Sequence, residues 1–277
     1  MIPRLPDFEK ARNVIETGLG GIVDGRFIFC GLDVNKEIGG RMTQTEVLLL
    51  WLLGRRPKPM ETRLMDALIT VNTYPDIRIW CIRPGAYTAA AGSPVSSAYA
   101  AAHALLNAKL FGVQACLAFR RFMTGIRIRA EHEKLEAIID GMITRKAFFP
   151  GFGRPLIQGK DERIDLIRSL LQEWRFPLGR HCRLLLEMAD IVTAKTGLHP
   201  NYASLFAALL IDPPFELDDR KLTAAAHFIV NIAAMAPACE AAGADAGKPL
   251  LPQSIDDIDY QGVAPRKLRD TRNTRKE

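Results

Sequence analysis

Cysteine is sparse and unpatterned in this chain. Its five residues, Cys30, Cys81, Cys116, Cys182 and Cys239, form no Cys-x-x-Cys pair. That argues against a zinc site or any other metal centre, and against a disulfide framework, and it suits a reducing compartment. Each cysteine reads as a small buried hydrophobe rather than a nucleophile. An apolar leader is missing too: the first nine residues, Met1 to Glu9, place charges where a signal peptide needs an uncharged stretch. Two long uncharged runs exist, Pro84–Ala108 and Leu222–Cys239, but prolines, glycines, Asn107, His227 and Asn231 interrupt them. Core helices fit them better than membrane spans. These features predict a soluble cytoplasmic protein with no membrane partner.

A basic body is also lacking. The formal charge is +6, but the last twelve residues, Arg266–Glu277, carry six basic against two acidic side chains, which leaves the rest near +2. The tail reads first as a solvated, disordered terminus and second as an anion-binding arm. It has no interleaved aromatic residue for base stacking, so nucleic acid is disfavoured as a partner.

What is present is helical patterning. The glycine-rich first forty residues enclose Arg26–Asp33, a short apolar run suited to one strand or a hairpin arm. Thr43 and Glu46 form a capping box, opening a helix over 47–53 that Gly54 ends. Further helices are predicted over 60–71, over an alanine-rich stretch 86–107 broken at Gly92-Ser93-Pro94, and over 114–122. Another is predicted over 131–144, with Leu135, Ile138, Ile139 and Met142 on one face. A loop at 148–159 leads to helices over 161–174, 177–196, 202–211 and 218–242. No strand–helix alternation and no internal repeat is evident, so a parallel α/β sheet is excluded.

Several segments, in order, carry a resemblance. Arg26–Asp33, then Ile38-Gly39 and Glu46-Val47, match an "L-x-Y-R-G-Y-D-I" stretch and the helix after it. Pro150-Gly151-Phe152-Gly153 matches "P-G-F-G-H", and Asp161-Glu162-Arg163 falls where "D-P-R" belongs. His199-Pro200-Asn201-Tyr202-Ala203-Ser204 matches "N-V-D-F-Y-S". Asp256–Gly262 matches both "W-D-D-I-S-Y" and "Y-x-G". The chain thereby resembles the citrate synthase and citryl-CoA lyase superfamily over most of residues 22 to 262, in shortened form. The resemblance implies an all-α, two-domain fold with at most a short N-terminal β element. Residues 1–124 and 222–277 would form a large dimerising domain, and 125–221 a small domain that binds coenzyme A. It also implies a homodimer, or a heteromer with a catalytic paralogue. The ligands would be a coenzyme A ester and a dicarboxylate, with no covalently bound cofactor.

The same resemblance identifies the site and its departures. Phe149, Pro150, Gly151, Phe152 and Gly153 would face the coenzyme A ester, and Arg163 would grip a substrate carboxylate, for which a forked guanidinium is suited. Where the family has the histidine of its glycine loop, Arg154 stands; it can polarise a carbonyl but stays protonated, so it is no acid or base. The base carboxylate falls at Asn201, whose amide cannot abstract a proton. A histidine falls at Phe111, and another, expected at 72–74, is absent. His199 is the surviving candidate for local proton transfer and His227 a further substrate-binding candidate. Plainer roles stand beside each: an ordinary turn for the glycine loop, a solvated helix face for Arg163, an N-cap for Asn201, and core histidines at 103 and 227. An enzyme that makes or breaks a carbon–carbon bond beside a thioester, with non-standard residues, is the leading expectation. A catalytically inactive metabolite-binding or structural subunit is the alternative.

Overall fold

The computed structural model describes residues 17–73, 82–108, 112–154 and 159–228. Phe111, Tyr74, the Asp256–Gly262 segment, the basic tail and the predicted helix beyond 228 lie outside the described residues.

The chain opens on a three-stranded antiparallel sheet, β1 (Gly20–Val23), β2 (Arg26–Phe29) and β3 (Leu32–Asp33). Both turns are two residues long. Asp24 and Gly25 have φ of 49° and 72°, and Cys30 and Gly31 have 48° and 82°. Such paired positive values match the twist of the flanking strands. A π-helical turn, Val34–Ile38, follows, capped by the Asp33 carboxylate, which accepts from the Asn35 and Lys36 amides.

Ten α-helices follow among the described residues: α1 (Gln44–Leu53), α2 (Pro59–Thr70), α3 (Ile82–Ala90), α4 (Val95–Ala104), α5 (Val113–Arg129), α6 (Leu135–Thr144), α7 (Glu162–Glu173), α8 (Arg180–Thr196), α9 (Tyr202–Ile211) and α10 (Asp219–Ala226). The Thr43–Glu46 capping box is formed in both directions, at 3.2 and 2.7 Å, and Gly54 closes α1 with φ of 68°. No helix among the described residues is long and apolar enough to cross a membrane.

Three boundaries differ from those predicted. α5 runs to Arg129 rather than 122, because its inner face stays apolar through Met123 and Ile126, both buried. α6 begins at Leu135, not 131: Lys134 is extended, and the residues before it turn back on α5 through the Arg129–Glu133 ion pair. α8 begins at Arg180 because its first amides are held from outside by Asp212, with Gly179 the extended residue before it.

One hydrophobic core joins these helices. Its axis is α9, in which Ser204 through Leu210 are all buried. A helix apolar all round belongs in the middle of a bundle, and α9 is packed by α5, α7, α8 and α10. The N-terminus of α9 therefore sits deep in the protein, against the loop after α6.

Candidate functional site

Loop 149–154 and the segment before α9 are stitched together. Gly153 N–H donates to the His199 carbonyl at 2.7 Å, Asn201 N–H to the Gly151 carbonyl at 2.8 Å, and Phe152 bridges Pro200. Phe149 and Phe152 are buried edge to face, 6.1 Å between centroids, and Phe149 meets Phe122 in the same way. Gly151 has φ of +83°, and a Cβ there would lie 2.5 Å from the Phe119 ring and 2.7 Å from Ser204 Cβ. Only glycine permits this approach.

Asn201 uses both ends of its amide. Its oxygen accepts from Ser204 N–H at 3.2 Å as the N-cap of α9, and its Nδ2 donates to the Gly153 carbonyl at 3.0 Å. The plain reading as a helix cap and the expected place beside the glycine loop are thus both realised in one residue.

Behind the loop lies Asp161, the N-cap of α7, with a fully buried side chain. Arg163 Nε and Nη2 grip its two oxygens at 2.8 Å each, and Tyr202 N–H donates to Oδ2 at 2.9 Å. Burial alone would push this carboxyl up. The Arg163 guanidinium, the Tyr202 amide and the Arg154 charge outweigh it and hold Asp161 below the ordinary carboxylate value. Arg163 also donates from Nη1 to Asn72 Oδ1 at 2.7 Å and lies 4.9 Å above the Tyr202 ring. Tyr202 is itself fixed, its hydroxyl donating to the Leu68 carbonyl.

Arg154 completes the group. Its side chain is 10% exposed; Nη1 lies 3.1 Å from Glu162 Oε2 and 3.6 Å from Asp161 Oδ1, and Nη2 donates to the Lys160 carbonyl. Its Nε is buried and has no acceptor among the described residues. A cleft of about 350 Å³ opens between α7 and α8, lined among others by Lys160, Asp161, Asp165, Arg168, Asp190 and His199.

The structure therefore gathers Phe149–Arg154, Arg163, His199 and Asn201 into one corner. His227 is elsewhere: it ends α10 and packs on His103 of α4 at 5.1 Å between ring centroids, with Tyr99 stacked beyond. Burial pushes both imidazoles down from their ordinary value, and in His103 the charge of His227 adds to it. Two members of the corner, Asn72 and Tyr202, had no assigned role in the sequence. Tyr202 was signalled by its place in the 199–204 match, and Asn72 only by the resemblance, which puts a histidine at 72–74; it reaches the site across 91 residues of chain.

An all-helical core, a glycine loop locked to a buried helix N-terminus and an Asp–Arg pair beneath it define a class of fold. Citryl-CoA lyase from Hydrogenobacter thermophilus superposes with a TM-score of 0.70 at 21% identity, covering 92% of this chain and 98% of the lyase. ATP citrate lyase from Methanothrix soehngenii, in complex with citrate and coenzyme A, gives 0.71 at 17% identity, covering 95% of this chain and 46% of its own. Citrate synthase from Thermoplasma acidophilum, in ternary complex with carboxymethyl coenzyme A and oxaloacetate, gives 0.60 at 19% identity, covering 82% of this chain and 58% of the synthase. This chain has the citrate synthase-like fold. No protein-family model matches the sequence, and no curated protein matches it.

Proposed function

We propose that this chain is an enzyme that makes or breaks a carbon–carbon bond between an acyl-CoA and an oxo-dicarboxylate, using non-standard residues. On this reading the small domain of 125–221 carries the coenzyme A ester on loop 149–153. It closes against the large domain of 1–124 and 222–277 within a cytoplasmic homodimer. The observation that carries the reading is the convergence of Arg154 and Arg163 on a single buried carboxylate, Asp161. Two buried cations around one anion suit an anionic ligand.

Proton abstraction does not run through position 201, where the amide is neutral and tied at both ends. Decarboxylation of a malonyl-type thioester needs no such base. Loss of CO₂ leaves the electron pair on the α-carbon as the thioester enolate. That carbon attacks the keto carbon of the oxo-dicarboxylate, and the alkoxide formed takes a proton. Cleavage of a β-hydroxy thioester instead needs the hydroxyl proton removed; the carbon–carbon bond breaks to the keto group and a thioester enolate, which takes a proton at its α-carbon. His199, on the cleft, is the imidazole placed to give or take that proton. Arg154 offers a fixed cationic donor to an anionic group of the ligand, and Arg163 orients a carboxylate.

The test is a thermal-shift screen of CoA, acetyl-CoA, malonyl-CoA, oxaloacetate and citrate on wild type and on Arg163→Ala, followed by turnover assays on whichever ligand stabilises. Stabilisation lost in the variant, with turnover in the wild type, supports the reading. Absence of any shift in a folded protein overturns it.

A second reading has its own observation. Asn201 spends its amide on helix and loop, and Arg163 spends its Nε–Nη2 edge on Asp161. A catalytically inactive metabolite-binding subunit would bind these ligands without turning them over.

A further inference from the structure

We infer that Arg154 is a specificity-determining residue that takes a carboxylate of the ligand, so that the acyl unit accepted here is a carboxylated, malonyl-type thioester rather than acetyl-CoA. The inference rests on the coenzyme A reading above and narrows it. The argument is a count of charge by depth. Arg154 and Arg163 have side chains 10% and 30% exposed, and the one carboxylate buried with them among the described residues is Asp161, at 0%. Asp161 is committed to Arg163 through two bonds of 2.8 Å and reaches Arg154 only at 3.6 Å.

Arg154 is left with Glu162, whose carboxylate is 74% exposed, and with the uncharged Lys160 carbonyl. An ion pair with so exposed a partner is screened by water and contributes little. Among the described residues, the corner thus holds a nearly buried cation with no committed buried counter-charge, and its Nε–H has no acceptor. Burying a charge is tolerated when an opposite charge arrives. An acetyl group brings no such charge. A carboxylate does, and the planar fork of a guanidinium, Nε with one Nη, matches its two oxygens. Lys160 lines the neighbouring cleft, and its backbone carbonyl accepts from Arg154 Nη2.

The experiment is calorimetric titration of wild type, Arg154→Gln and Arg154→Lys with acetyl-CoA, malonyl-CoA, acetate and malonate, each variant first checked for native helix content by circular dichroism. The expected result is malonyl-CoA binding about tenfold or more tighter than acetyl-CoA, as a charge-assisted contact provides. The preference should collapse in Arg154→Gln and survive in part in Arg154→Lys. Equal affinity for the two esters in the wild type overturns the inference, as does a preference that persists in Arg154→Gln. If neither ester binds but malonate does, and Arg154→Gln abolishes it, the coenzyme A reading falls while the carboxylate assignment stands. A chain that binds neither malonyl-CoA nor malonate overturns both.

Discussion

Two buried aspartates set up a comparison within one molecule. Asp212, after α9, is 3% exposed and accepts from the His181 and Cys182 amides at 3.1 and 2.8 Å and from His181 Nδ1 at 2.8 Å. Gly179 lies so close that any Cβ there would collide with the carboxylate. Backbone amides and one imidazole satisfy it, and it holds the positive end of α8. Asp161 is buried to the same depth, but two guanidiniums surround it. Both are held below the ordinary carboxylate value. Burial raises each, and its donors outweigh that: chiefly His181 for Asp212 and Arg163 for Asp161. The first carboxylate is satisfied by backbone amides and one imidazole, and the second is the one buried anion, among the described residues, facing two guanidiniums. Depth of burial does not separate the two aspartates; the charges around them do.

The comparison breaks hardest at Asp161. Asp161→Asn leaves two guanidiniums buried without their anion and is expected to cost about 3–5 kcal/mol, read from urea denaturation. Added citrate or malonate should recover part of that loss by supplying negative charge. Asp212→Asn removes no counter-ion from a guanidinium pair and is expected to cost about 1–3 kcal/mol, with no recovery by either anion. If both variants responded alike to the anions, the distinction between the corners would be wrong.

Asn201→Ala is expected to cost about 1 kcal/mol as a lost helix cap, with an added loss of loop order visible as faster amide exchange at Gly153. The smallest effect concerns pH. His103 and His227 have folded values pushed below the ordinary 6.5 by burial, so the unfolded chain binds protons more readily. Their contribution is full above that value and declines as pH falls through it. The urea midpoint should drop between about pH 7.5 and about pH 5.5, and His103→Gln should flatten that slope. The two aspartates act lower: their stabilisation is present above the ordinary 3.8 and is lost as pH falls below it through their depressed folded values.

Much of the fold was legible because its signals are local. The Thr43–Glu46 box, Gly54, Asn201 as the cap of Tyr202–Ile211, and the apolar face of Leu135, Ile138, Ile139 and Met142 each act within a few residues of chain. The boundaries that moved are those set by distant partners, as where Asp212 fixes the start of α8 across 30 residues. The site divides in the same way. The glycine loop, Asp161 and Arg163 could be read as a series, and their clustering with Asn201 was anticipated by the resemblance. Position 72 was marked by the resemblance only as the place of an absent histidine, and its bond to Arg163 across 91 residues of chain was not legible. His227 looked suitable by position along the chain, but α10 carries it to His103 instead.

The doubly bonded amide at position 201 has a consequence for how this sequence can change. A carboxylate there would keep its acceptance from Ser204 N–H but would set an anionic oxygen against the Gly153 carbonyl that Nδ2 now serves at 3.0 Å. The replacement is a single nucleotide step from asparagine, yet it would pry the loop from the helix it is bound to. A carboxylate is reachable at 201 only after loop 149–154 has found another donor for Gly153, so the order of substitutions, and not their number, bars that path.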